Sequence, residues 1–106
     1  MTNFYCYKSD NSLHFHFEGR LDSENTHKIS NIVEDKINSY YEKKNGEPVK
    51  IIFDIEEVDY IASAFIRICI KASKTVGKDN FSLINSIPII KKTFKVAGLD
   101  KALNVS

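Results

Sequence analysis

Apolar and polar positions alternate strictly through Leu13-His-Phe-His-Phe-Glu18, with Leu13, Phe15 and Phe17 on one side of an extended chain and His14, His16 and Glu18 on the other. This period of two predicts a half-buried strand, ended by Gly19. The stretch before it, Phe4 to Lys8, is rich in aromatic and β-forming residues. The turn formers Ser9-Asp10-Asn11-Ser12 join the two segments as a hairpin. After Gly19 the period changes. Ile29, Ile32, Val33, Ile37, Tyr40 and Tyr41 recur every three or four residues, which is the stripe of an amphipathic helix. Asp22 or Ser23 caps its start, with Glu24 in the positive first turn. Cations and Gly46 close it, and Pro48 lies just beyond.

Val49-Lys-Ile-Ile-Phe-Asp54 is short and nearly continuously apolar, as a strand covered on both faces would be. It is expected to end in an acidic loop from Asp54 to Asp59. Ser63 to Val76 then reads as a deeply buried helix, apolar around most of its circumference and stopped by Gly77. Asn80 to Asn85 is a further strand. Ser86 and Pro88 occupy the cap and first-turn positions of a last helix that runs to a Gly98-Leu99 stop. The tail, Asp100 to Ser106, adds a short strand or a turn. The order β-β-α-β-α-β-α predicts an α/β fold: a mixed sheet of four to five strands, opened by a β-hairpin and packed with three to four helices.

Composition narrows the class. At 106 residues the chain is sized for one domain, 1–106. Fifteen basic against fourteen acidic residues leave a net charge of +1, too little for a protein that holds nucleic acid or membrane through bulk positive charge. Two cysteines, Cys6 and Cys69, without a Cys-x-x-Cys, argue against a disulfide framework or a four-thiolate zinc site. Met1 to Lys8 lacks the pattern of a secretory signal, and no apolar run approaches the ~20 residues that span a bilayer. The expectation is an intracellular protein in a binding or signalling role, with no cofactor.

Candidate chemistry is sparse. In sheets of this kind, sites form where strand carboxyl ends lead into helix N-termini. Ser63 stands there, as a cap or first-turn residue, with a hydroxyl near a positive dipole end. Asp54, at the end of an apolar strand, has a remote reading as the phosphoacceptor of a receiver domain. The chain lacks the early acidic pair that reading needs, its only early acid being Asp10. His14 and His16 have a spacing that binds metal, with His27 further on, but alternation already explains the pair. No phosphate-cradling glycine motif is present.

The residues together resemble a known family. Ile51-Ile-Phe-Asp54, Val58-Asp-Tyr-Ile61 and Ala62-Ser-Ala-Phe-Ile-Arg67 look like the central motif of STAS domains, the bacterial anti-sigma factor antagonists and their relatives. Phe17-Glu-Gly-Arg-Leu-Asp22, Phe81-Ser-Leu-Ile-Asn85 and Phe94-Lys-Val-Ala-Gly-Leu-Asp100 resemble three further landmarks, in the same order and spacing. The resemblance implies a cytoplasmic partner-switching regulator rather than an enzyme. Ser63 would be phosphorylated by a cognate serine kinase that doubles as the anti-sigma factor, and a phosphatase would restore it. Asp22, Asp54, Ala62, Ala64, Phe65 and Arg67 would form the partner-binding surface. The alternative within the family is an unphosphorylated docking module in another bacterial signalling complex. Two positions depart from the pattern: Phe65 stands where the family has Gly, and Ala62 where it has Asp or Ser. Phe65 either alters packing beneath the loop or places an aromatic ring on the binding face.

Overall fold

The structure is a computed structural model that describes residues 3–9 and 11–106. The elements in chain order are β1 (Asn3–Ser9), β2 (Ser12–Leu21), α1 (Ser23–Lys43), β3 (Lys50–Ile61), α2 (Ser63–Val76), a short 3-10 turn (Lys78–Asn80), β4 (Phe81–Ile84) and α3 (Pro88–Val96). The predicted turn residue Asp10 lies outside the described residues.

The four strands lie side by side in chain order, β1-β2-β3-β4. β1 and β2 pair antiparallel with Phe4 opposite Phe17, while β2–β3 and β3–β4 pair parallel. The tail extends this order. Val105 bridges Leu83 in parallel, and Ser106 donates its N–H to the Leu83 carbonyl at 2.9 Å. Each parallel connection therefore steps one place in the same direction. Right-handed crossovers that never reverse put all their helices on one face of the sheet. Leu13, Phe15 and Phe17 of β2, Ile51, Phe53 and Ile55 of β3, and Phe81 and Leu83 of β4 bury that face against α1, α2 and α3. The other face carries Tyr5 and Tyr7, each about half exposed. A receiver domain needs a reversal of strand order, and none occurs among the described residues.

An aromatic cluster sits at the centre. The Phe53 ring meets Phe15, Phe17 and Phe81 edge-on at 5.1–5.4 Å between centroids. Such pairs add to the area that the rings bury. Phe65 from α2 meets Phe17 at 5.3 Å in the same T-shaped way.

Several sequence expectations are corrected. β2 does not stop at Gly19 but runs to Leu21, with Gly19 at a positive φ of 91° beside a register shift. The segment Asp54 to Asp59 is not a loop but the second half of β3. One residue separates His16 from Glu18, while two separate their partners Asp54 and Glu57. None separates Gly19 from Arg20, while one separates Val58 from Tyr60. Two extra residues thus bulge from β3, and the buried positions change from Ile51, Phe53 and Ile55 at a spacing of two to Val58 and Ile61 at a spacing of three. A strand whose period breaks twice reads as a loop in sequence.

In α1 the buried line is Thr26, Ile29, Val33, Ile37 and Tyr40, and Ile32 and Tyr41 are exposed. α2 buries one face, through Phe65, Ile68, Cys69, Ala72, Ser73 and Val76, and presents Arg67, Lys71 and Lys74 to solvent. The cap of α3 is Ile87 rather than Ser86, with Pro88 as its first residue. Its end is the expected glycine stop. Gly98 has a φ of 73°, and the Leu99 N–H reaches back to the Phe94 carbonyl at 2.9 Å.

Candidate functional site

The parallel strands β2 and β3 leave the sheet side by side. The Ala62 N–H donates to the Leu21 carbonyl at 2.8 Å, which ties the two exits together and sets Asp22 beside Ala62 and Ser63. Asp22 is the N-cap of α1. Its Oδ1 accepts the Asn25 N–H at 2.8 Å, and its Oδ2 lies 3.6 Å from the Arg20 Nε.

Ser63 is the first residue of α2 and is exposed. Of the two positions left open by sequence, it takes the first turn, and Ala62 is the cap. Ala62 has the extended backbone of a capping residue, φ −105° and ψ 168°, but no side-chain oxygen to use. The first turn of α2 also lacks an acidic residue. Its positive end is therefore uncompensated, whereas that of α1 is capped by Asp22 and supplied with Glu24. The orphan N–H groups there would accept an anion without rearrangement of the helix.

Phe65 settles one of the alternatives. Its ring is fully buried against Phe17 and Phe53, so it lies beneath the surface and not on it. It pins the start of α2 to the sheet, in place of the glycine expected there. Ala64 is half-buried and Arg67 exposed, one helical turn beyond Ser63. Ala64 and Arg67 line a groove of about 630 Å³ between α1 and α2, with Ser23 and His27 on the far wall. Lys71 and Glu34 bridge it at 3.2 Å.

Asp54 is not part of this cluster. It pairs with His16, five residues of β2 before Leu21, which at ~3.3 Å per residue sets it roughly 16 Å from Ile61. Its Oδ1 accepts the Glu56 N–H at 3.1 Å and the Asn85 Nδ2 at 3.2 Å, and its Oδ2 lies 3.5 Å from the His16 Nδ1. The carboxylate holds the first β3 bulge and the exit of β4 together. Sequence reasoning also missed a pairing on the second bulge. The Arg20 guanidinium stacks 3.9 Å above the Tyr60 ring, next to the Asp22 cap. Arg20 opposite Tyr60 in parallel register was hidden because the bulges shift that register.

The histidines expected on an outer strand face are there. His14 stacks on Tyr7 at 4.6 Å and His16 on Tyr5 at 4.8 Å. Among the described residues no group of three or more metal-ligating side chains is assembled. None of the helices described is long and apolar enough to cross a membrane.

Solved structures share this architecture. An anti-sigma-factor antagonist (STAS) domain protein from Planctomyces limnophilus matches with a TM-score of 0.77, at 18% identity over 100% of this chain and 90% of its own. An anti-sigma factor antagonist from Mycobacterium paratuberculosis matches at 0.74, with 17% identity over 99% and 85%. The Bacillus cell fate determinant SpoIIAA in its phosphorylated form matches at 0.68, with 18% identity over 98% and 91%. No protein-family model matches the sequence, and no curated protein is significantly similar to it. The chain has the STAS fold, that of the anti-sigma factor antagonists, as its motifs implied.

Proposed function

We propose that the protein is a regulatory partner-switching component of the anti-sigma factor antagonist kind, with Ser63 as its phosphoacceptor. The observation that carries this reading is the exposed Ser63 hydroxyl on the uncapped, positive N-terminus of α2. A protein of the same fold exists in a phosphorylated form. The partner is a serine kinase that is also the anti-sigma factor, and a phosphatase reverses the modification in the cytoplasm.

In the transfer, the Ser63 Oγ attacks the terminal phosphorus of a nucleoside triphosphate held by the kinase. The nucleoside diphosphate leaves, and the hydroxyl proton passes to a base on the kinase. The modified side chain carries roughly −1.5 to −2 charges. The open helix end accommodates part of that charge, so the fold persists. Asp22 repels it, and an interface formed against a neutral serine acquires a dianion that it has no means to solvate. A loss of about 3 kcal/mol weakens binding more than a hundredfold. Asp22, Ala62, Ala64 and Arg67 surround Ser63 on the proposed docking surface. Phe65 supports that surface from below, and Asp54 acts on it through the bulge it holds.

The test is a pull-down with the tagged protein from cells of its host, followed by phosphopeptide mass spectrometry. Wild type and Ser63→Ala retain the partner, Ser63→Asp loses it while remaining folded, and phosphate is found on the peptide containing Ser63. Equal capture by all three proteins, with no phosphate at Ser63, overturns the switch and favours a docking module that needs no modification.

A further inference from the structure

The two lateral sides of the sheet are built differently. On the β4 side, the tail lies against β4 through the Leu83–Val105 bridge. β4 pairs only with Ile51 to Asp54, so β3 beyond Asp54 has no strand on that side among the described residues. That stretch carries both bulges and presents Glu56, Glu57 and Asp59 to solvent. Bulges and charges keep a free edge from pairing with another chain. The opposite side is β1, the end strand of the order β1-β2-β3-β4. It has neither protection. Its register with β2 runs unbroken from Asn3 to Ser9, without a bulge. It contains no proline, and Lys8 is its one charged residue.

Every second residue of an antiparallel end strand turns its N–H and C=O away from the neighbouring strand. The seven residues of β1 therefore present a row of donors and acceptors on their outer side, and the complement of such a row is another strand. A two-fold axis through Cys6 makes β1 its own antiparallel complement. Tyr5 and Tyr7 flank Cys6, are 54% and 50% exposed, and stack on each other at 6.2 Å. In that register Tyr5 faces Tyr7 of the second copy, and the pair occurs twice. Aromatic pairs are among the cross-strand contacts that stabilise a sheet. Lys8 faces Phe4 of the second copy. The two Lys8 residues then stand four positions apart, about 13 Å at ~3.3 Å per residue, beyond the Debye length of about 8 Å at physiological salt. A parallel pairing would instead set the two ammonium groups against each other.

We propose that β1 pairs edge to edge with β1 of a second copy of this chain, antiparallel about Cys6, and joins two four-stranded sheets into one of eight strands. The contact is one strand long and small for a protein interface, so the dimer is weak and reversible, with a Kd on the order of 100 µM. The inference does not rest on the phosphorylation reading.

The test is sedimentation equilibrium of the full chain from about 10 µM to about 1 mM, a range over which wild type passes from monomer towards dimer. Tyr5→Lys combined with Tyr7→Lys sets like charges directly opposite in both pairs and weakens the dimer about tenfold or more. Tyr5→Lys combined with Tyr7→Glu sets opposite charges there and dimerises about tenfold more tightly than the double-lysine variant. Circular dichroism checks that both variants fold. Cys6 reports the register. Directly opposed Cα atoms in an antiparallel pair lie about 4.5–5.5 Å apart, within the span of a disulfide. Diamide, which takes up the two protons and two electrons of the thiols, links wild-type chains through Cys6, and Cys6→Ser prevents the link. Cys69 is fully buried and does not compete. If a charge variant does not fold, the Cys6 link decides by itself. A chain that stays monomeric at about 1 mM overturns the proposal and leaves the edge to a strand of another protein. A dimer that forms equally in both charge variants, or that diamide does not link through Cys6, places the contact elsewhere and also overturns it.

Discussion

The Asp54 carboxylate accepts the backbone N–H of Glu56 at 3.1 Å, two residues along its own strand. This bond closes the first β3 bulge and uses an N–H that the extra residue takes out of the ladder. The same oxygen accepts from Asn85, where β4 leaves the sheet with a φ of 61°. Asp54→Ala removes both acceptor bonds and should cost about 1–3 kcal/mol. Urea denaturation measures it. A midpoint equal to that of wild type would show that the bulge holds itself.

Phe65 occupies a site where the related motif has glycine, and the core is built around its ring. Phe65→Ala should lose about 3–5 kcal/mol through lost burial and a residual cavity, and Phe65→Leu about 1.5 kcal/mol. Equilibrium unfolding of the two variants distinguishes a packed ring from a tolerated one. Near-equal stability of Phe65→Ala and wild type is the contrary result.

Ala62 has the backbone of an N-cap and lacks the oxygen of one. Ala62→Ser or Ala62→Asp supplies an acceptor for the orphan N–H groups of α2 and should stabilise by about 1 kcal/mol. For a domain of this length that is a rise in Tm of roughly 4–8 °C, read by thermal denaturation. A fall in Tm would mean that the helix start is held by other means.

The Arg20–Tyr60 stack crosses the second bulge at 3.9 Å. Both side chains are substantially exposed, so the coupling should be about 0.5–1 kcal/mol. A double-mutant cycle with Arg20→Ala and Tyr60→Ala isolates it. Strict additivity would remove the interaction as a support of the bulged edge.

Burial pushes the Cys69 thiol far above its ordinary value of 9.0. The folded chain therefore keeps this proton after the unfolded chain has released it. Stability from this group is fully present below a pH of about 9 and falls as pH rises beyond it, by up to about 1.4 kcal/mol per pH unit. Cys69→Ala starts less stable but should show a shallower decline over the same interval. Parallel declines in denaturant titrations would assign the alkaline slope to other groups.

Much of this architecture is legible in the chain. Alternation in Leu13 to Glu18, the stripe in α1 and the span Ser63–Val76 each follow from one-sided burial, which imposes its period on the residues that pay no other constraint. The position of Ser63 at a strand-to-helix junction is equally a local property. The second half of β3 is not. Its polarity from Asp54 to Asp59 reads as a loop, because each bulge breaks the period and β3 presents Glu56, Glu57, Asp59 and Tyr60 to solvent. Pairing with β2 makes it a strand, and only the register across that pair shows it.

By itself, then, the sequence determined the opening hairpin, the three helices and the place of Ser63 at a helix start, because these depend on side-chain chemistry within a few residues. Tertiary structure decided what is surface and what is support. It buried Phe65, set Asp54 apart from Ser63 and brought Asp22 beside it. It also left β1 at the end of the sheet, with no strand on its outer side among the described residues. These relations are set by register and crossover direction, which couple residues far apart in the chain and leave no local trace in the residues they join.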